Sequence, residues 1–215
     1  MSDRLAKSGP RVRLVGVRVS ERGRVDAIRN TESILRAAED LLLSSESLED
    51  VTMSGVAARA GVGKGTVYRA YGDKAALLRA VMTQRSAPLR EAIESSDGDL
   101  CASRPPADRL VAILGALTRF KLDNRLLSSA LEQLGSGSPY DAATYGWWHC
   151  LISGIIGDAT DEFDASYLAH LLLAGVRSDL IEHLLAGGLP PADIVADVEA
   201  TVRSVVGNIE RDARQ

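Results

Sequence analysis

Cysteine is nearly missing from this 215-residue chain: Cys101 and Cys150 are the only two, too few and too distant for a disulfide framework and without metal-ligand spacing. A reducing, cytoplasmic setting fits that usage. Histidine is scarce as well, at His149, His170 and His183 only, with no HExxH pattern and no glycine-rich phosphate loop. His149 and Cys150 are neighbours, but adjacent residues on a helix point apart, so no nucleophile pair forms and no enzyme is indicated. No apolar run approaches the ~18 residues that a membrane span requires. Arginines interrupt every apolar stretch near the N-terminus, which excludes a secretory signal there. Internal repeats and low-complexity segments are absent, and no metal or cofactor is expected.

What is present is a chain with 46% hydrophobic residues, enough for a sizeable core in one or two domains. Its net charge of −4 conceals an asymmetry. Residues 1–85 hold 15 Lys and Arg against 10 Asp and Glu, net +5, whereas residues 86–215 hold 10 against 19, net −9. A basic front end suits contact with phosphates, where Lys and Arg release counterions; a solvated basic tail gives the same count. Arg4, Lys7, Arg11, Arg13, Arg18, Arg22 and Arg24 supply most of the excess, so residues 1–24 read as a basic, flexible arm. Such an arm either inserts into a minor groove or remains a non-specific tail.

Residues 51–82, VTMSGVAARAGVGKGTVYRAYGDKAALLRAVM, have the spacing of a helix-turn-helix followed by a capped third helix. Two closely crossing helices need a small residue at the crossing, a turn residue comfortable at positive φ, and a branched apolar anchor facing back. Ala57, Gly61 and Val67 supply these in order, with Val56, Val62 and Ala70 at the remaining inward positions. Arg59, Lys64, Thr66 and Arg69 are then left on the outward face. Thr52 and Asp73 stand at the N-cap positions of the first and third helices, and Gly63 stands at that of the second without a capping side chain.

This order of residues resembles the tetracycline-repressor (TetR) family of bacterial regulators: Thr52, Val56-Ala57, Ala60-Gly61-Val62, Lys64-Gly65-Thr66-Val67-Tyr68, Tyr71, then Asp73-Lys74 before Leu77-Leu78. The resemblance implies an all-α protein with a DNA-binding domain at residues 25–72 and a helical effector-binding and dimerisation domain at residues 73–215. It also implies phosphate contacts from Thr52, Tyr68 and Lys74, base-edge contacts from Lys64, Gly65, Thr66 and Arg69, and a place for Tyr71 in the same interface. Gly63 and Gly55 depart from the family's usual polar cap and acidic capping-box partner.

Beyond this motif the pattern stays helical, with segments from Asp73 towards Ser95, then over 107–121, 123–134, 140–158, 163–186 and 190–211, about nine helices in all. Apolar stripes on the last two segments, including Leu171 and Gly175 on one and Val198, Val202 and Val205 on the other, are candidates for a two-fold four-helix interface; inward packing in a monomer is the alternative. The scarce aromatics gather around Trp147-Trp148, which makes Phe120, Tyr145 and Trp148, with Arg177, candidates for lining an effector cavity, or simply for packing. The expected partners are therefore double-stranded DNA, a second copy of the chain and a small-molecule effector, with no membrane. The expected role is a repressor on a palindromic operator, released when the effector favours a mis-spaced pair of reading helices. The alternative is a helical ligand-binding or interaction module without specific DNA binding.

Overall fold

The computed structural model describes residues 21–133, 140, 143–159 and 164–212, and its elements there are ten α-helices with no strand. They are α1 (Glu21–Ser44), α2 (Met53–Ala60), α3 (Lys64–Tyr71), α4 (Lys74–Glu94), α5 (Pro106–Asp123), α6 (Arg125–Gln133), α7 (Ala143–Ala159), α8 (Ala165–Ala174), α9 (Ser178–Ala186) and α10 (Pro191–Asp212). The all-α class read from the sequence is the class observed. Most of the basic arm expected over residues 1–24 lies outside the described residues, as does Phe163.

Two apolar cores organise the chain. The first gathers Ile34, Ala38 and Leu42 of α1, Val56 and Ala57 of α2, Val67 of α3, and Leu77, Leu78 and Val81 of α4. On α1 these residues recur at steps of four, which places them on one face of the helix. The second core gathers Leu110, Ile113, Leu114 and Leu117 of α5 with residues of α7, α8 and α10. Burying one such aliphatic side chain contributes about 1.5–3 kcal/mol, whereas an exposed ion pair gives ~1 kcal/mol at most. Packing therefore holds α2 on α1, and the exposed Arg59–Asp40 pair at 3.4 Å adds little.

Helix α4 belongs to both cores. Its first half brings Leu77, Leu78 and Val81 to the first, and its second half brings Leu89 and Ile93 to the second. Pro88 lies within the continuous helix between them, and its ring nitrogen has no hydrogen for the bond that an ordinary residue would make one turn back. Beyond it, the Arg90 guanidinium stacks 4.2 Å above the Trp147 ring and ties α4 to α7.

The segment expected as one helix over 163–186 is two. Arg177 takes an extended backbone at φ −66°, ψ 144°, and the Ser178 N–H donates to the Glu132 carboxylate at 3.0 Å. In an unbroken helix that N–H bonds to a carbonyl four residues earlier. A carboxylate from α6 captures it instead, and α9 starts afresh there.

Candidate nucleic-acid interface

The first helix of the motif begins where its chemistry marks it. Thr52 is extended, and its Oγ1 accepts from the Gly55 N–H at 3.0 Å, so one orphan donor of α2 is satisfied. Gly61 ends the helix in the left-handed region at φ 68°, and the following Val62 N–H reaches back to the Ala57 carbonyl at 3.0 Å. A side chain at position 61 is strained by that φ, which is why the turn requires glycine. Gly63 caps α3 without a side-chain hydrogen bond, and Asp73 accepts from Ala76 N–H at 2.7 Å to start α4.

The two short helices cross on small and branched residues. Ala57 is 2% exposed and Val67 is fully buried beneath α3. Ala70, expected to face inward, is exposed, and Tyr71 takes the inward place. The reason is helical geometry: from Val67 a step of four residues returns more nearly to the same face than a step of three. Tyr71, expected in the DNA interface, is half-buried and packs against the first core. Its hydroxyl is buried with no hydrogen-bond partner among the described residues, and burial raises its pKa. A phenol oxygen closed off in this way does not reach a phosphate.

The outward face of α3 carries Lys64, Gly65, Tyr68 and Arg69, all exposed, with Thr66 half-buried at its edge. Tyr68 exposes 51% of its surface, unusual for a large aromatic that has a core within reach. Arg59 is also exposed but is paired with Asp40, so it stands away from this cationic face. Thr52 retains its hydroxyl proton for a ligand while its oxygen serves as the cap. Lys74 is more constrained. Its Nζ donates to the Leu48 carbonyl at 2.5 Å, and burial pulls its pKa down against the opposing pull of Glu49. Its primary contact is thus with the loop between α1 and α2.

The residues proposed for other roles are scattered. Phe120 is half-buried on α5, where its carbonyl accepts from Asn124 Nδ2 at 2.7 Å. Trp148 stands edge-on to Trp147 with centroids 4.8 Å apart and packs on the second core. Tyr145 Oη lies 2.6 Å from His170 Nδ1; its pKa is raised by burial and by Tyr140, and the charge of Arg177 opposes this. Arg177 itself is bidentate to Asp179, at 2.8 Å for the closest contact. Tyr145 and Arg177 thus share a neighbourhood, whereas Trp148 belongs to another contact set. A groove of about 490 Å³ between α5 and α10 is bordered by Arg119, Leu122, Val195 and Glu199, and by none of these four candidates.

The dimerisation set divides. Leu171 is 54% exposed and Gly175 is exposed, and Tyr167 adds to the same outward stripe of α8. Val202 is 2% exposed inside its own chain, where α10 lies along α5, and Val198 and Val205 are packed against the same core. Val202, expected at the interface, is packed in the second core of its own chain, where α5 covers that stripe. Sequence reading missed Glu132 and Arg125 of α6, which the only available signal, an amphipathic nine-residue segment, did not single out.

Residues 34–81 match the family model described as "Bacterial regulatory proteins, tetR family". The chain is 32% identical over 118 residues to the HTH-type transcriptional regulator SAR0097 of Staphylococcus aureus (strain MRSA252); the match spans 54% of this chain and 60% of that protein. Among solved structures, a TetR transcriptional regulator from Rhodococcus sp. RHA1 is 25% identical, with 81% of this chain and 95% of that one covered at a TM-score of 0.55. A second transcriptional regulator from Rhodococcus sp. Rha1 shares the fold at 17% identity and TM-score 0.63, covering 84% and 97% of the two chains. With its capped helix-turn-helix, all-helical body and these likenesses, the chain is similar to the TetR family of bacterial regulators, the family model matching its helix-turn-helix segment and the solved structures its fold.

Proposed function

We propose that this protein is a DNA-binding transcriptional repressor that reads a palindromic operator as a homodimer and is released by a small-molecule effector. The observation that carries the reading is the outward face of α3, where Lys64, Tyr68 and Arg69 project from a helix whose opposite side is anchored by buried Val67. Cationic and phenolic donors on an exposed helix fit phosphate and base edges of a major groove. One eight-residue helix reads few bases, and a two-fold pair extends the site to two half-sites. The division of labour follows the sequence: residues 1–24 as a basic arm, 25–72 as the DNA-binding domain and 73–215 as the effector and dimerisation domain. Leu171 and Gly175, with Tyr167, offer the outward stripe for a second copy. Tyr145 and Arg177 are the effector candidates that lie together, and Phe120 and Trp148 are secondary ones.

Selection of bound fragments from genomic DNA, followed by anisotropy titrations at several salt concentrations, tests the reading. A regulator yields a palindrome and an affinity that falls steeply with salt, and Tyr68→Ala abolishes retention. No retention of any fragment at low salt refutes it. For the effector step, a compound that binds near Tyr145 yet leaves operator affinity unchanged is excluded as an inducer.

A further inference from the structure

We infer that the helix-turn-helix, α6 and α9 form one cooperative unit, with Glu132 at its centre, so that α9 controls how firmly the recognition helix is held. The first observation is compositional. Leu127 and Ala130 of α6 are 2% and 3% exposed and sit in the same core as Val56, Val67 and Leu77, although more than thirty residues separate them from the end of α4 along the chain. That core includes no residue of α5, α7, α8 or α10 among those described, so α6 is the part of the C-terminal region that completes it.

The second observation lies at the two ends of α6. Arg125 meets Glu182 of α9 through Nε at 2.8 Å and Nη2 at 2.5 Å. Two turns on, Glu132 accepts from the Ser178 N–H at 3.0 Å, the Ser178 hydroxyl at 2.8 Å and Lys121 Nζ at 2.8 Å. The pairing of 125 with 182 and 132 with 178 runs antiparallel, and two separated anchor points fix both the slide and the rotation of one helix on the other. Arg125 and Glu182 are 51% and 34% exposed, which leaves their pair weak. Glu132 is only 24% exposed and satisfies two donors at the start of α9, so it is the stronger anchor.

The third observation is what α9 otherwise touches. Its buried Ile181 belongs to neither core, and α9 packs mainly on α6 and less extensively on α10. A disturbance of α9 therefore passes first to α6, and from Leu127 and Ala130 into the core beneath α3. The inference holds whether or not the face of α3 meets DNA.

Hydrogen–deuterium exchange on the full-length protein, read by mass spectrometry, tests it. In Glu132→Gln the amides of α6, α9 and residues 53–71 exchange faster together, by about tenfold or more, while α5, α7 and α10 keep their protection. Ser178→Ala, a milder change, gives the same pattern at smaller amplitude and serves if Glu132→Gln does not fold. Arg125→Glu loosens the same set, and the exchanged pair Arg125→Glu with Glu182→Arg restores it. Loosening confined to α6 and α9, with residues 53–71 unaffected, overturns the proposal. So does a uniform increase over every helix, which marks a global loss of stability instead.

Discussion

Lys74 holds the Leu48 carbonyl from the first turn of α4, at 2.5 Å, and so ties the third helix of the motif to the loop that precedes the first. A charged donor on a partly buried carbonyl contributes about 1.5–3 kcal/mol, enough to register in unfolding. Lys74→Ala is therefore expected to lower stability by ~1–2 kcal/mol as well as any DNA affinity. Tyr68→Ala, exposed and away from the core, is expected to reduce affinity while the urea midpoint stays unchanged. Denaturation and anisotropy on the same two variants check the split; equal stability losses in both exclude it.

Tyr71 offers the converse test. Its hydroxyl is buried without a hydrogen-bond partner among the described residues, so removing it leaves no donor or acceptor stranded. Tyr71→Phe is expected to be neutral or to stabilise by up to about 1 kcal/mol, with DNA affinity retained. A variant that folds normally yet loses affinity restores Tyr71 to the interface.

Gly115 and Glu199 form a second pair worth separating. A Cβ added to Gly115 would overlap Glu199 Oε1, which forces the carboxylate off its Arg119 partner. That carboxylate is the mobile end of a side chain, whereas alanine gains about 1 kcal/mol over glycine in a helix interior. Gly115→Ala alone is expected within ~1 kcal/mol of neutral, and in a Glu199→Ala background it is expected to stabilise by about 1 kcal/mol. Urea titrations of the four proteins in the cycle measure it.

Acid should reveal the Glu132 anchor. Burial pushes this carboxyl upward, but the Lys121 ammonium and the hydrogen bonds from Lys121 and Ser178 outweigh it and hold the pKa below the ordinary carboxylate value. A depressed folded-state pKa adds stability that is fully present above the unfolded value of about 4.3 and disappears as pH falls through the folded value. The stability gap between the native chain and Glu132→Gln should therefore be constant from pH 7 to ~5 and close below about pH 4. A gap that widens on acidification contradicts the assignment.

Legibility varied with the range over which the physics acts. Caps at Thr52 and Asp73, the turn at Gly61 and the anchor at Val67 are local requirements of backbone geometry, and each stands where the spacing put it. Ala70 and Tyr71 exchanged places because from Val67 a four-residue step returns more nearly to the inward face than a three-residue step, a difference of one position that residue type alone did not mark. Val202 carried the same apolar signal as an interface residue, and periodicity does not say which surface covers a stripe.

By itself, the order of residues determined the helical class, the helix-turn-helix and its cationic outer face, since these depend on neighbours within a few positions along the chain. Tertiary structure alone decided that α6 completes the core under α3, that Glu132 splits α8 from α9, and that the valines of α10 are spent on α5. Those outcomes depend on contacts between segments tens of residues apart, whose partners are chosen by packing as a whole and leave no local mark.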